Sequence, residues 1–309
     1  MLELVTSLAL KILPLYVTIA LGYLLIHLFH TKKEDIASLL IYLIGPVVIF
    51  IASYKVELNL AVAFLPIVLF LLSSTLSLLS LKFSNSFFQD NTKNILAFSA
   101  GTGNTGYFGI PLAIILLDES LANIYIFTVL ASLLYESTVG FFVVAKGHYS
   151  INQSLLKVVK LPSLYALIFG LILNISEVKL SENLLDYLDY FKGTYAILGM
   201  MMIGMGLKGL KNVGIDKLFI SFAFVIKFII YPLCALFIIW IDSTFLHFFS
   251  SGLYQVMFIF SIVPMAGNTV AVASLLKVHP EKASLAVVLS TFLSIFTIPI
   301  MIALFLDTF

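Results

Sequence analysis

The stretch SAGTGNTGYFGIPLA, residues 99–113, decides the fold. It lies within a run of residues apolar enough to cross a membrane, yet it contains four glycines and a proline. In a helix interior a glycine costs about 1 kcal/mol relative to alanine, and a proline about 3 kcal/mol. The stretch therefore predicts a membrane helix that is interrupted part-way along its length.

The composition is that of a membrane protein. Of the 309 residues, 61% are hydrophobic and 11% are charged, whereas a soluble domain has about 25% charged residues. The formal net charge of +1 leaves no basic surface large enough for nucleic acid, so we expect no such partner. Cys234 is the single cysteine, which excludes an intrachain disulfide and a cysteine-based metal site.

Ten apolar stretches approach the roughly 20 residues that a helix needs to cross the hydrocarbon core. They lie at 6–29, 36–53, 60–82, 93–117, 121–145, 160–175, 184–207, 214–241, 252–276 and 283–306. The loops between them are short, so no soluble domain fits there. Because the apolar runs are continuous and do not alternate with polar residues, a β-barrel is excluded.

Lysines predict the orientation, because cytoplasmic loops carry an excess of positive charge. The even-numbered loops hold only Lys55, Lys179 and Lys192. The odd-numbered loops hold Lys32, Lys33, Lys82, Lys93, Lys146, Lys157, Lys160, Lys208, Lys211, Lys217, Lys277 and Lys282. We therefore expect the odd-numbered loops in the cytoplasm and both termini outside it.

Proline, glycine and asparagine landmarks recur in the two halves of the chain. The first and sixth spans each place a glycine eight residues after a proline. The third span carries Pro66 and the eighth Pro232; Asn104 follows the first of these after 38 residues and Asn268 follows the second after 36. Chance recurrence of proline is the alternative, but the ordered set favours gene duplication.

The duplication predicts two five-helix repeats, at 1–145 and 160–309, joined by a cytoplasmic linker at 146–159. Because five is odd, the second repeat enters the membrane inverted relative to the first. Inverted repeats are typical of secondary transporters, whose substrate site lies where the repeats meet.

A second stretch, VPMAGNTVA at residues 263–271, repeats the Gly-Asn-Thr triplet of the first in the ninth span. Backbone groups freed by an interruption cannot face lipid, so they must face protein or a watery cavity. A half-helix that begins there presents N–H groups and the positive end of its dipole. We expect the two interruptions to form a donor-rich pocket near the bilayer midplane.

Close helix packing is the alternative explanation for glycines in a membrane helix. We assign the glycines of the seventh span, Gly199, Gly204 and Gly206, to packing. The two matched Gly-Asn-Thr triplets favour a functional site instead.

With these two stretches the sequence resembles the auxin efflux carrier family, which includes bacterial organic-acid carriers and plant auxin carriers. The fourth span carries the family pattern as GNTGYFGIPLA, and VPMAGNTVA in the ninth is a looser match. The ten-helix plan covers almost the whole chain. The short loop between Lys146 and Lys157 resembles that of prokaryotic members, which implies the cytoplasmic membrane of a prokaryote.

The resemblance implies a fold similar to the sodium/proton antiporters and bile-acid transporters, in which the fourth and ninth helices are broken and cross. Helices 1, 2, 6 and 7 would form a scaffold, often dimeric, and helices 3–5 and 8–10 a moving transport domain. The implied substrate-binding residues are Gly103, Asn104, Thr105, Gly106, Pro111, Pro264, Gly267, Asn268 and Thr269.

Two ionisable residues lie deep in the apolar spans, Glu136 in the fifth and Lys227 in the eighth. Such residues are expensive in a membrane unless they are paired or functional. Glu136 is a candidate to couple transport to Na⁺ or H⁺, and Ser137 and Thr138 add oxygens suited to Na⁺. The alternatives for Lys227 are attraction of an anionic substrate and a structural ion pair with Glu136.

No enzyme motif is present: the sequence has no His-Glu-x-x-His, Gly-x-Ser-x-Gly or P-loop pattern. We expect a secondary transporter that moves a small organic anion, such as an auxin- or malonate-like carboxylate, by alternating access, without a cofactor. A sodium-coupled, bile-acid-like symporter is the first alternative. A channel or membrane receptor is the second.

Overall fold

The structure, a computed structural model, describes residues 2–145, 162–206 and 214–305. These residues form helices joined by short loops, and they contain no strand. The helices are α1 (Leu2–Leu28), α2 (33–55), α3 (Leu60–Ser84), α4 (Thr92–Gly101), α5 (105–116), α6 (Glu119–Val144), α7 (Pro162–Ile175), α8 (Glu182–Met205), α9 (Lys217–Leu246), α10 (Ser251–Ile262), α11 (Asn268–Leu276) and α12 (Pro280–Phe305). The all-helical prediction is confirmed for this part of the chain.

Six of the described helices are long and apolar enough to cross a membrane: α1, α2, α3, α6, α9 and α12. The predicted fourth span is divided into α4 and α5, and the predicted ninth span into α10 and α11, so neither contains one long helix. Helix α7 is apolar but has only 14 residues. The architecture is that of a polytopic membrane protein, and the ten spans and the inverted repeat stay predictions.

Polar side chains at the loops fix where three of the long helices begin. The carboxylate of Asp118 accepts a hydrogen bond from the Leu121 N–H at the start of α6, 3.0 Å away. The side chain of Asn59 does the same at the start of α3 and that of Asp216 at the start of α9. Each cap satisfies an N–H group that has no partner within the helix.

In the described part of the chain five π-helical turns interrupt the regular helices, at Leu40–Ile44 in α2, Thr105–Gly109 in α5, Glu136–Gly140 in α6, and Ile226–Ile230 and Asp242–Leu246 in α9. Three of them end two residues before a proline, namely Pro46, Pro111 or Pro232. Proline has no N–H and its ring collides with the carbonyl one turn earlier, so the turn before it widens. Such turns are frequent at functional sites.

The described helices pack as two groups. Helix α2 packs along α7 and α1 along α8, while α3 packs against α4 and α6, α9 against α10, and α11 against α12. Helices α1 and α12 and helices α2 and α6 connect these groups. The division into scaffold and transport domain stays a prediction. The predicted linker at 146–159 and five of the lysines predicted to be cytoplasmic, Lys146, Lys157, Lys160, Lys208 and Lys211, lie outside the described residues.

Glycines allow the backbones of α1 and α8 to touch. A Cβ atom added to Gly204 would overlap the carbonyl group of Ile19, and one added to Gly22 would overlap the backbone of Met201. These contacts give Gly204 the packing role that the sequence predicts, since small residues let membrane helices approach closely.

We predict that Gly204→Ala lowers the thermal midpoint of unfolding of the protein in detergent by several degrees, because the added methyl group separates α1 from α8. Gly193→Ala on the same helix is the matched control: a Cβ there meets nothing within 4 Å, and alanine favours the helix. Equal midpoints for the two variants would contradict the close contact at Gly204.

Candidate functional site

The two helix interruptions are in direct contact. Helix α4 ends at Gly101 and the chain runs extended through Thr102 before α5 begins. Helix α10 ends at Ile262 and the chain is again extended at Val263. The N–H group of Asn104 in the first interruption donates a 2.8 Å hydrogen bond to the carbonyl oxygen of Pro264 in the second.

Other backbone groups of the interruptions also find protein partners. The Gly109 N–H donates to the Asn104 carbonyl oxygen at 2.8 Å, and the Met265 N–H donates to the hydroxyl of Ser290 at 3.1 Å. At the depth of a membrane core such partners are required, because lipid offers none. The interruptions are therefore ordered backbone with defined hydrogen bonds.

The carboxylate of Glu136 joins the two interruptions from the side of α6. One of its oxygens accepts a hydrogen bond from the hydroxyl of Thr102. The other accepts from the side-chain amide of Asn268, 2.6 Å away. Glu136 is the first residue of a π-helical turn that ends at Gly140, where an added Cβ would lie 3.0 Å from the ring of Phe98.

A cavity of about 270 Å³ lies beside this junction. The first residues of α5 and α11 line it, together with the middle of α2, one face of α6 and Tyr195 of α8. Its lining residues are Leu40, Ile41, Gly45, Val48, Ile49, Gly103, Asn104, Thr105, Gly106, Tyr107, Ile110, Val129, Ser132, Leu133, Glu136, Ser137, Ser163, Tyr195, Ala266, Gly267 and Asn268. Among these, Glu136 is the only carboxylate and there is no lysine.

Most of the residues predicted for substrate binding lie on this cavity. They are Gly103, Asn104, Thr105, Gly106, Gly267 and Asn268. Three others are near it without lining it: Pro111 is buried in α5, Pro264 supplies the carbonyl oxygen that binds Asn104, and the hydroxyl of Thr269 is buried. The substrate-binding role of all nine stays a prediction.

The residues predicted to couple transport to an ion do not all lie on the cavity. Glu136 and Ser137 line the cavity, whereas the hydroxyl of Thr138 donates to the Leu134 carbonyl oxygen of its own helix at 2.5 Å. Lys227 does not line the cavity, and its amino group, which adjoins Gly103, has no hydrogen-bond partner among the described residues. The structural Glu136–Lys227 ion pair considered from the sequence is therefore not formed.

Sequence reasoning missed the aromatic and α2 walls of the cavity. The ring of Tyr107 in α5 lies 5.8 Å from that of Tyr195 in α8, measured between centroids, and a Cβ on Gly106 would lie 3.0 Å from the Tyr195 hydroxyl oxygen. The part of α2 that lines the cavity includes the π-helical turn before Pro46 and residues just after that turn. The Gly-Pro pair in the second span was the signal that could have located it.

A model of the membrane transport protein family matches residues 147–302 of this chain, about half of its length. The chain belongs to the auxin efflux carrier family of membrane transport proteins. The matched residues include the second interruption, and the resemblance noted in the sequence is thereby confirmed. This is a family of transporters and not of enzymes. A search among curated proteins found no match.

We predict that Thr102→Val destabilises this transporter, because the half-buried carboxylate of Glu136 loses one of its two hydrogen-bond donors. Loss of a bond to a charged group costs about 1.5–3 kcal/mol, which lowers the midpoint of thermal unfolding in detergent. Thr138→Val removes a hydroxyl bonded only within α6 and should change the midpoint less. A larger loss in Thr138→Val than in Thr102→Val would contradict the role given to Thr102.

Proposed function

We propose that this carrier is a secondary active transporter of a small organic anion, a carboxylate of auxin or malonate type. The substrate binds where the two interruptions cross and is carried by alternating access. The observation that supports this most is the cavity lined by the start of α5, the start of α11 and Glu136. Family membership supports transport, and the cavity supports a small substrate, because it lies below the roughly 300–1,000 Å³ of pockets for larger ligands.

The chemistry of the lining favours an anion that also makes hydrogen bonds. Helices α5 and α11 begin at the interruptions, and the amino end of a helix attracts negative charge through its N–H groups and dipole. The side chains of Asn104 and Asn268 offer amide donors, and the Asn268 amide already donates to a carboxylate, that of Glu136. The apolar wall from α2 suits the hydrocarbon part of an organic acid.

Glu136 is the residue we assign to coupling. It is the only carboxylate among the described residues that line the cavity, and it contacts both interruptions. Movement of either interruption therefore changes its hydrogen bonds. A proton taken up by Glu136 would remove the negative charge next to an incoming carboxylate, which links proton and substrate in one site.

The membrane setting is proposed from sequence. The lysine distribution supports termini outside the cytoplasm, and the short central loop supports the cytoplasmic membrane of a prokaryote. Helix α7 presents a row of exposed apolar side chains, among them Tyr165, Phe169 and Ile172. Such a surface faces either lipid or a second copy, in line with a homodimer through α1, α2, α7 and α8.

Counterflow into liposomes tests the function with malonate, malate, pyruvate and indole-acetate. We expect uptake of at least one of these acids by the wild-type protein, and a loss of about tenfold or more in Asn104→Ala and in Asn268→Ala, because each removes a donor from the cavity. Asn183→Ala, at an exposed position at the start of α8, is the matched control and should transport normally. Full uptake by both cavity variants would place the site elsewhere.

A sodium-coupled symporter of the bile-acid type is the second candidate, because the hydroxyl of Ser137 lines the cavity next to Glu136. Uptake that requires Na⁺ and fails in Glu136→Gln would favour it over proton coupling. Single-channel currents, or binding without translocation, would favour a channel or a receptor instead.

Alternating access requires contacts between the two helix groups to break, and an ion-pair network at the predicted outer end of the helices supplies such contacts. The ammonium of Lys55 in α2 lies 2.9 Å from Glu119 of α6 and 2.6 Å from Asp189 of α8. Lys192 of α8 donates to the amide oxygen of Asn123 in α6 at 2.9 Å. The network thus joins α2 and α8 of the proposed scaffold to α6 of the proposed transport domain.

Two cysteine pairs in a Cys234→Ser background distinguish movement between the groups from movement within one. A short bifunctional thiosulfonate that links Lys55→Cys to Glu119→Cys should stop counterflow, because it joins scaffold to transport domain, and a reducing agent should restore it. The same reagent on Lys55→Cys with Asp189→Cys links two scaffold helices and should leave counterflow intact. Equal inhibition of both pairs would contradict this division of the helices.

A further inference from the structure

Lys227 is a buried cation without a carboxylate partner. Its side chain lies in the π-helical turn of α9 and is 1% exposed, and its amino group has no hydrogen-bond partner among the described residues. The amino nitrogen lies 4.3 Å from the centre of the Tyr231 ring, which is within the range of a cation–π contact. An ionisable residue placed this way inside a membrane protein indicates function.

The amino group of Lys227 adjoins both helix interruptions and does not line the cavity. A Cβ atom added to Gly103 would lie 2.6 Å from the amino nitrogen of Lys227 and 2.9 Å from a methyl group of Val263. Gly103 belongs to the first interruption and Val263 begins the second. The absence of a side chain at Gly103 is therefore what gives Lys227 room beside the crossing.

The negative ends of two helix dipoles lie at the same place. Helix α4 ends at Gly101, two residues before Gly103, and α10 ends at Ile262, one residue before Val263. The carboxyl end of a helix favours a cation, through its carbonyl groups and its dipole. Together with the Tyr231 ring, these ends favour the ammonium form of Lys227.

The cavity, which Gly103 lines, would bring two negative charges together if a carboxylate entered it. Its described lining holds the carboxylate of Glu136 and no lysine, and Glu136 is engaged by Thr102 and Asn268. A second carboxylate entering the cavity would be repelled by the first. An ammonium at Lys227, which adjoins Gly103 but does not line the cavity, opposes that repulsion without touching the substrate.

We propose that Lys227 is a specificity-determining residue, which acts through the backbone of Gly103 to let the cavity take a carboxylate beside Glu136. This deepens the proposed function and rests on it. Lys227 sets the preference for an anion over a neutral molecule of the same shape, while the lining residues set shape and hydrogen bonding. The amide of a substrate acid should therefore bind independently of Lys227.

Calorimetric binding to the purified, full-length protein tests this with indole-acetate and pyruvate, each beside its neutral amide. For an acid that the wild type binds, we expect Lys227→Met to weaken binding on the order of tenfold to a hundredfold, as loss of one nearby charge implies, and to leave the Kd of the amide within about twofold. Lys227→Arg, which keeps the charge, should retain the preference for the acid. Where Lys227→Met does not fold, Lys227→Gln takes its place.

The double variant Lys227→Met/Glu136→Gln separates an electrostatic role from a structural one. It removes both charges, so binding of the acid should recover most of what Lys227→Met lost. An acid-to-amide ratio of Kd values that stays at the wild-type level in Lys227→Met overturns the proposal for Lys227 and leaves the proposed function standing. If the wild type binds neither acid, the proposed function fails for these acids, and the role of Lys227 fails with it.

Discussion

The carboxylate of Glu136 bonds to both helix interruptions, and the rest of the site depends on this contact. Thr102 donates to one oxygen and Asn268 to the other, while the Asn104 N–H binds the Pro264 carbonyl oxygen directly. In a membrane the alternative to such bonds is a polar backbone group without a partner, which costs several kcal/mol. The two interruptions are therefore stable only together, and the cavity exists because they meet.

The glycines of the first interruption let neighbouring groups approach the backbone closely, in addition to making the chain flexible. A Cβ on Gly101 would lie 2.5 Å from the Ser73 carbonyl oxygen, one on Gly103 would meet Lys227, and one on Gly109 would overlap the hydroxyl of Tyr125. Each glycine faces a different neighbour. The sequence left close packing and helix interruption as alternative roles for these glycines. In this stretch they serve both, because the backbone that leaves the helix is in close contact with neighbouring groups.

Local sequence patterns predicted the features that depend on neighbouring residues, namely the helices and their interruptions. Apolar run lengths placed most helices within a few residues, and the Gly-Asn-Thr triplets located Asn104 and Asn268. The contacts that assemble the site were not predictable, because they join distant residues: Glu136 and Asn268 are 132 positions apart. No sequence motif distinguishes Thr102 from the other threonines. The cavity wall formed by α2 depends on how that helix packs, and residue spacing in the sequence does not determine this packing.

Where the two interruptions meet, the helix ends of opposite polarity adjoin different ionisable side chains. The amino ends of α5 and α11 lie on the cavity, with Glu136, whereas the carboxyl ends of α4 and α10 lie beside Lys227. Each ionisable side chain is thus placed where helix ends of the opposite sign stabilise it, so neither needs the other as an ion-pair partner. The two groups are not paired, so the field of each extends into its own surroundings. Direct pairing of Glu136 and Lys227 would bring the opposite charges together, and their fields would then largely cancel at the cavity.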